Sequence, residues 1–354
     1  MFAFRRDGRP AMTESSTPLA CLPARLARRA RVSARRFVAF GFAGIALAAF
    51  AQAPAPMTIG ILSSGSYESR ASLDQALLLG LREQGYVEGR NLTVVRRYGS
   101  DQAKVQSIAQ ELAGMPLDAI LTTCTPSTRA MKGATDRTPI VMAAVADPVR
   151  QGIIDSLARP GHNITGTASL DEALVAKRLQ MIASMLPNAT MVAVLANANN
   201  PSHRLAWPIL EREARVLRLV PVLYEFPRGS AIPGAIASAS AAGASALFVM
   251  PDDPLLLNMR AEIVREAARH RLPAFYWARE FVDVGGLASY GQNLAGSYRS
   301  AGGYMARIKK GADPATLPVE QPTRFEMVIN LRAAQALDLA IPSSVLLGAD
   351  DVLR

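Results

Sequence analysis

Eight short apolar runs rich in β-branched residues alternate with helix-length stretches from Met57 onward, and this rhythm constrains the fold more than any other feature. The runs fall at 58–62, 92–98, 119–124, 140–146, 191–196, 220–226, 246–250 and 274–277. Several are apolar without strict alternation, as strands covered by helices on both faces should be. Amphipathic stretches at 71–84, 102–113, 172–186, 204–219 and 255–269 lie between them. Gly85 supplies the left-handed residue that ends the first helix. Strand–helix–strand order through most of the chain predicts an α/β fold with parallel sheets. Two sets of four strands predict two sheets. The break falls at 164–170 (ITGTASL), read as a polar connector. Further crossings are expected near 291–297 and at 313–323, where the prolines of DPATLPVEQPT favour an extended path.

Four strand ends run into a small polar residue and then proline: Thr125-Pro126, Asp147-Pro148, Asn200-Pro201 and Asp253-Pro254. Thr, Asp and Asn accept hydrogen bonds from the free N–H groups of a helix start, and proline suits the first helical position. In a parallel sheet these ends share one edge, which is where open α/β sheets bind ligands. Helix N-termini there offer N–H donors to an anion such as a carboxylate. A single such pair is more simply a helix cap. Its repetition in both halves of the chain argues for a shared cleft. Ser63-Ser64-Gly65-Ser66 after the first strand is a further anion cradle. It is not a P-loop, since no Gly-Lys-Ser/Thr follows, and no G-x-G-x-x-G occurs in that turn. Asn197 beside Asn200, Asp252 beside Asp253, and the aromatic residues Tyr276, Trp277 and Tyr290 complete the candidates. The rings would stack on a ligand or simply pack.

The first 51 residues read differently. Nine arginines oppose only Asp7 and Glu14 there, leaving a net of +3 out of the chain's +10 for the remainder. With no Lys/Arg stripe interleaved with aromatics, nucleic-acid binding is disfavoured. Arginine-rich sequence, the apolar run 37–50 and Ala49-Phe50-Ala51 form the three parts of an export signal, with cleavage after Ala51. An apolar run of about 14 residues is short for a hydrocarbon core that needs roughly 20. After cleavage Cys124 is the one cysteine left, so no internal disulfide forms.

No catalytic constellation stands out. His162, His203 and His270 are isolated from one another, and no G-x-S-x-G elbow occurs. Cys124 lacks a nucleophile signature. No metal or cofactor is expected, and binding is favoured over turnover.

Specific blocks then carry a resemblance. GLREQGYVEGRN (80–91), TPIVMAAVADPV (138–149), SLARPGHNITG (156–166), KRLQMIASMLPNA (177–189), GGLASYG (285–291) and LPVEQPTRFEMVINLRAAQALDL (317–339) resemble the ABC-transporter substrate-binding proteins of the tryptophan/aromatic type. That family has the type I periplasmic binding fold. The resemblance implies two Rossmann-like lobes joined by a three-segment hinge, closing like a flytrap on a small molecule. Lobe 1 would comprise 57–171 and 292–323, and lobe 2 would comprise 172–291 and 324–354. A ligand carboxylate would meet Ser64, Gly65, Thr125 and Ser127, and an ammonium would meet Asp147 or Asp252. The resemblance also implies a periplasmic monomer that delivers an amino acid or similar solute to an inner-membrane ABC permease. A sensing subunit for a membrane signalling protein is the alternative on the same fold. His162 stands where the family usually has Gly, and Cys124 where relatives often have a smaller residue.

Overall fold

The computed structural model describes residues 54–354 apart from Ser100 and Pro227; the expected export signal and its cleavage point lie outside the described residues. The chain opens with β1 (Met57–Ser64), α1 (Tyr67–Glu83), β2 (Leu92–Gly99), α2 (Gln102–Ala113), β3 (Ala119–Thr122), α3 (Thr125–Ala134), β4 (Ile140–Ala146) and β5 (Ile164–Ser169). These five strands form one parallel sheet in the order β2-β1-β3-β4-β5. The next run is α4 (Asp171–Met185), β6 (Met191–Asn197), α5 (Pro201–Val216), β7 (Val220–Phe226), α6 (Ile232–Ala241) and β8 (Ala246–Val249). It continues through α7 (Pro254–Asn258), α8 (Arg260–Arg269), β9 (Ala274–Tyr276), α9 (Arg279–Val282) and β10 (Ala288–Gln292). After α10 (Leu294–Lys309) come β11 (Phe325–Asn330), α11 (Leu331–Ala336), α12 (Ser343–Leu347) and β12 (Asp351–Leu353). The second sheet has seven strands in the order β12-β11-β10-β9-β8-β6-β7.

Three sequence expectations need correction. Residues 164–170 are not a connector: 164–169 form β5, a fully buried edge strand parallel to β4. Its polar look comes from small hydroxyls, of which those of Thr165 and Thr167 are bonded internally and that of Ser169 is buried without a partner among the described residues. Thr165 Oγ1 donates to Leu317 O at 2.8 Å, and Thr167 Oγ1 accepts from Ala144 N at 2.9 Å. The stretch 255–269 is two helices, broken at Met259. The second sheet is mixed, because β11 runs antiparallel to β10. The last residue of β10, Gln292, pairs with the first of β11, Phe325. The chain leaves and re-enters the sheet at the same edge, so the strand must return in the opposite sense.

What lies between those two strands packs on the first sheet. Helix α10 crosses α1 at backbone contact: a Cβ on Gly80 would sit 2.0 Å from Arg299 O, and one on Gly302 2.6 Å from Leu77 O. Only residues without a side chain allow this approach. Residues 315–320 then run along the free edge of β5, where Ala168 N donates to Glu320 O at 2.8 Å and Glu320 N to Gly166 O at 3.0 Å. That cover satisfies an edge that would otherwise be an open template for pairing. The chain thus passes between the sheets after β5, after β10 and before β11. Ile59, Ile61, Leu77 and Leu81 on the first sheet and α1, and residues 192–196 of β6, are among the buried core. Each large apolar side chain so buried contributes about 1.5–3 kcal/mol.

Candidate functional site

The carboxyl ends of the two sheets meet across a cleft. Its outer chamber, about 350 Å³, is walled on one side by Ser64, Asp101, Gln102 and Pro126. On the other stand Asn197, Asn199, Arg228 and residues 253–255. An inner chamber of about 30 Å³ shares Asp253 and Pro254 with it and is lined by Arg70, Thr123, Asp252, Trp277, Gln292 and Tyr298 among others. Thr125 Oγ1 donates across the cleft to Asp252 Oδ2 at 2.8 Å, with both residues buried. Ser66 Oγ donates to Asn258 Oδ1 at 3.3 Å, a second and longer bridge. Backbone strain gathers here too. Ala144 (φ 59°) and Asp252 (φ 56°), both on the inner wall, hold left-handed conformations that side chains disfavour.

Local chemistry explains how these groups are presented. The cap of α3 is Cys124, not Thr125, which is already the first helical residue. Thr125 is thereby released from capping and reaches Asp252. The Cys124 thiol is pushed up to about 12, first by burial and next by the Asp252 carboxylate. Ser127 turns inward: its hydroxyl donates to Cys124 O at 3.1 Å and accepts from Thr123 N at 3.2 Å. Asn200 and Asp253 cap α5 and α7, and they also bond each other, Nδ2 to Oδ2 at 3.0 Å. Asn200 Nδ2 further donates to Asp252 O at 2.7 Å, and Asn197 Nδ2 to Asp253 Oδ2 at 2.9 Å. His203 completes the mesh. Its Nδ1 accepts from Asn197 N at 3.0 Å, so Nε2 carries the proton and donates to Pro251 O at 2.9 Å. Burial holds this imidazole below its ordinary pKa despite the nearby Asp253.

The structure brings together Ser64, Thr125, Asn197, Asn200 and Asp252 at or beside the cleft, with Gly65 adjoining Asn258. It separates the others. Asp147-Pro148 opens a turn instead of a helix, with Asp147 Oδ1 accepting from Arg150 N at 3.1 Å. Asp147 lines a different hollow, about 370 Å³, with Ser169, Ile209 and Arg212. Tyr276, the last residue of β9, lines a separate hollow with Val264, Ala267 and Leu272 and stacks on Phe281 at 4.6 Å, while Trp277, just past the strand, meets the same Phe281 edge-on at 4.7 Å. Trp277 is the ring that reaches the inner chamber. Tyr290 lines a hollow of about 440 Å³ beside Lys177 and Phe325.

Arg70, Gln292 and Tyr298 were missed by the sequence reading. Arg70 sits in the buried stripe of α1 with Leu73, Leu77 and Leu81, three and four residues apart. A charge inside an apolar stripe was the available signal. Burial lowers its pKa from the ordinary arginine value. Among the described residues no group of His, Cys, Asp and Glu could hold a metal ion. No helix among them is long and apolar enough to cross a membrane.

Two sheets facing across a cleft at their carboxyl ends define a solute-binding scaffold of the type I periplasmic kind. The chain belongs to the ABC transporter substrate binding protein family, whose model matches residues 58–353. A tyrosine-binding protein of Clostridioides difficile is 26% identical over 282 residues, covering 79% of this chain and 81% of that one. A Streptococcus pneumoniae ABC domain solved with L-Trp superposes with a TM-score of 0.78 at 25% identity, over 84% of this chain and 100% of that one. A ligand-free, open substrate binding protein from Clostridium difficile superposes at 0.58 and 24% identity, over 84% and 99%.

Proposed function

We propose that this protein captures a small carboxylate-bearing solute between its sheets and hands it to an inner-membrane ABC permease. In this reading the protein is exported to the periplasm after cleavage at Ala51 and works as a monomer. The lobes are 57–171 with 292–323, and 172–291 with 324–354; the connections at 170–171, 292–294 and 321–324 act as the hinge. The observation that carries the reading is the Thr125–Asp252 hydrogen bond of 2.8 Å. It joins the first residue of α3, beside one sheet, to the turn after β8 of the other, beside the inner chamber, as a closed clamshell should. Better superposition on the L-Trp complex than on the open relative, at nearly equal identity, supports a closed state. A receptor of this kind must bind its solute several kcal/mol better when closed than when open, or occupancy would not shift the population.

Free L-amino acids are the first solutes to try, given what the relatives bind. The test is a thermal-shift screen of L-amino acids and small organic acids on purified protein, unfolded and refolded to strip carried-over solute. A solute at a hundred times its Kd should add about 2.7 kcal/mol of stability. No stabilisation by any carboxylate in the screen would count against the reading.

A further inference from the structure

The inner chamber holds three polar groups that the fold leaves unanswered. Arg70 is 3% exposed, Tyr298 1% and Gln292 4%. Arg70 Nε, Tyr298 Oη and Gln292 Oε1 each lack a hydrogen-bond partner among the described residues, and all three residues line the chamber. Arg70 Cζ lies over the Tyr298 ring, 5.5 Å from its centre, so the guanidinium stacks on the phenol face and leaves its Nε without a hydrogen-bond acceptor. No ion pair within 4 Å joins Arg70 to a described residue; the carboxylates of Asp74 and Glu280 act on it at longer range, and Asp252 and Asp253 share the chamber's lining. A buried cation without a counter-ion is costly, and such groups are normally paired. An arginine held this way beside a cavity has its missing partner in whatever fills the cavity.

We propose that Arg70 is the anion anchor of the cleft, receiving the solute's carboxylate in the inner chamber alongside the Tyr298 hydroxyl. Gln292 Oε1 accepts a hydrogen bond from a donor on the same end of the solute, as the ammonium of an α-amino acid supplies. This deepens the receptor reading and rests on it. The volumes set the orientation. About 30 Å³ holds one small polar group and no side chain, whereas the adjoining 350 Å³ takes the rest of the molecule. The carboxylate therefore enters first and the side chain faces outward. The strand-end hydroxyls and helix starts act on the outer chamber, and the negative charge is matched by the buried guanidinium.

The experiment is calorimetric titration of refolded protein with L-amino acids, their carboxamides and small organic acids lacking an amino group. Wild type should bind at least one amino acid and should bind its carboxamide far more weakly. Arg70→Gln should weaken that amino acid on the order of 100-fold, the loss of a charge-assisted pair. Tyr298→Phe should weaken it about 10-fold. Arg70→Gln should melt at or above the wild-type temperature without solute, since it removes an uncompensated buried charge, and this separates loss of binding from loss of fold. A carboxamide binding within threefold of its acid would overturn the proposal while leaving the receptor reading intact. So would Arg70→Gln and Tyr298→Phe both binding as wild type does. Organic acids binding as tightly as amino acids would remove the Gln292 contact. No binding of any solute by wild type would remove the receptor reading and the anchor together.

Discussion

Replacing Thr125 by Val removes the hydroxyl that bridges the cleft and keeps the side-chain shape. Thr125 Oγ1 donates to the Asp252 carboxylate at 2.8 Å, and both residues are buried. A hydrogen bond to a charged acceptor is worth about 1.5–3 kcal/mol. When the lobes are apart, Asp252 is returned to water, so the loss falls on the closed state alone. Taking about 2 kcal/mol, the closed-to-open ratio should drop roughly 30-fold. If solute is held only by the closed form, apparent affinity weakens by up to the same factor. Spin labels on Gln110 of α2 and Glu211 of α5, both exposed, report lobe separation directly, and buried Cys124 does not compete for label. Without solute, Thr125→Val should shift the distance distribution toward longer separations, and saturating solute should restore the shorter one. An unchanged distribution together with affinity within twofold of wild type would refute the bridge as a closure contact.

Other outcomes follow from the same geometry. Gly80→Ala places a Cβ 2.0 Å from Arg299 O, backbone against backbone, so α1 and α10 must separate. Overpacking of this kind costs about 1–3 kcal/mol or more, to be read as a lower denaturation midpoint, and Gly133→Ala, with open space around it, should cost far less. His203 is held neutral below the ordinary value of 6.5, so the folded state binds fewer protons than the unfolded chain. Its contribution is complete above about pH 6.5 and is lost as pH falls through the window below. The melting temperature of wild type should therefore drop more steeply than that of His203→Leu between pH 7 and 5; parallel curves would contradict the assignment. The Cys124 thiol, buried and pushed up to about 12, should not react with a thiol reagent in the native protein and should react fully on unfolding.

Most of the frame was legible because strands covered on both faces read as uninterrupted apolar runs. Strand β5 escaped, since Thr165, Thr167 and Ser169 look like loop residues until their hydroxyls are seen bonded or enclosed. Strands β10, β11 and β12 were not among the eight runs read from the sequence, and the antiparallel sense of β11 follows from where the chain re-enters the sheet, which no local pattern records. At the site, the proline-capped strand ends marked the correct edge, yet they did not say which side chains turn inward. Asn200 and Ser127 spend their polar groups on neighbouring loops. Asp147, Tyr276 and Tyr290 fall into other hollows, while Trp277, one residue past the end of β9, lines the inner chamber. Arg70 lay one residue outside the expected first helix, and its meaning depends on α10 bringing Tyr298 beside it from over two hundred residues away.

Solute is expected to bind between the carboxyl edges of the two sheets. A crystal structure of refolded protein with its most stabilising solute tests it most directly. Density for the solute should lie across the paired chambers, its carboxylate at Arg70 and its remainder toward Asn197 and Arg228. Density instead in the hollow beside Lys177 and Phe325, or in the one beside Asp147 and Arg212, would contradict it.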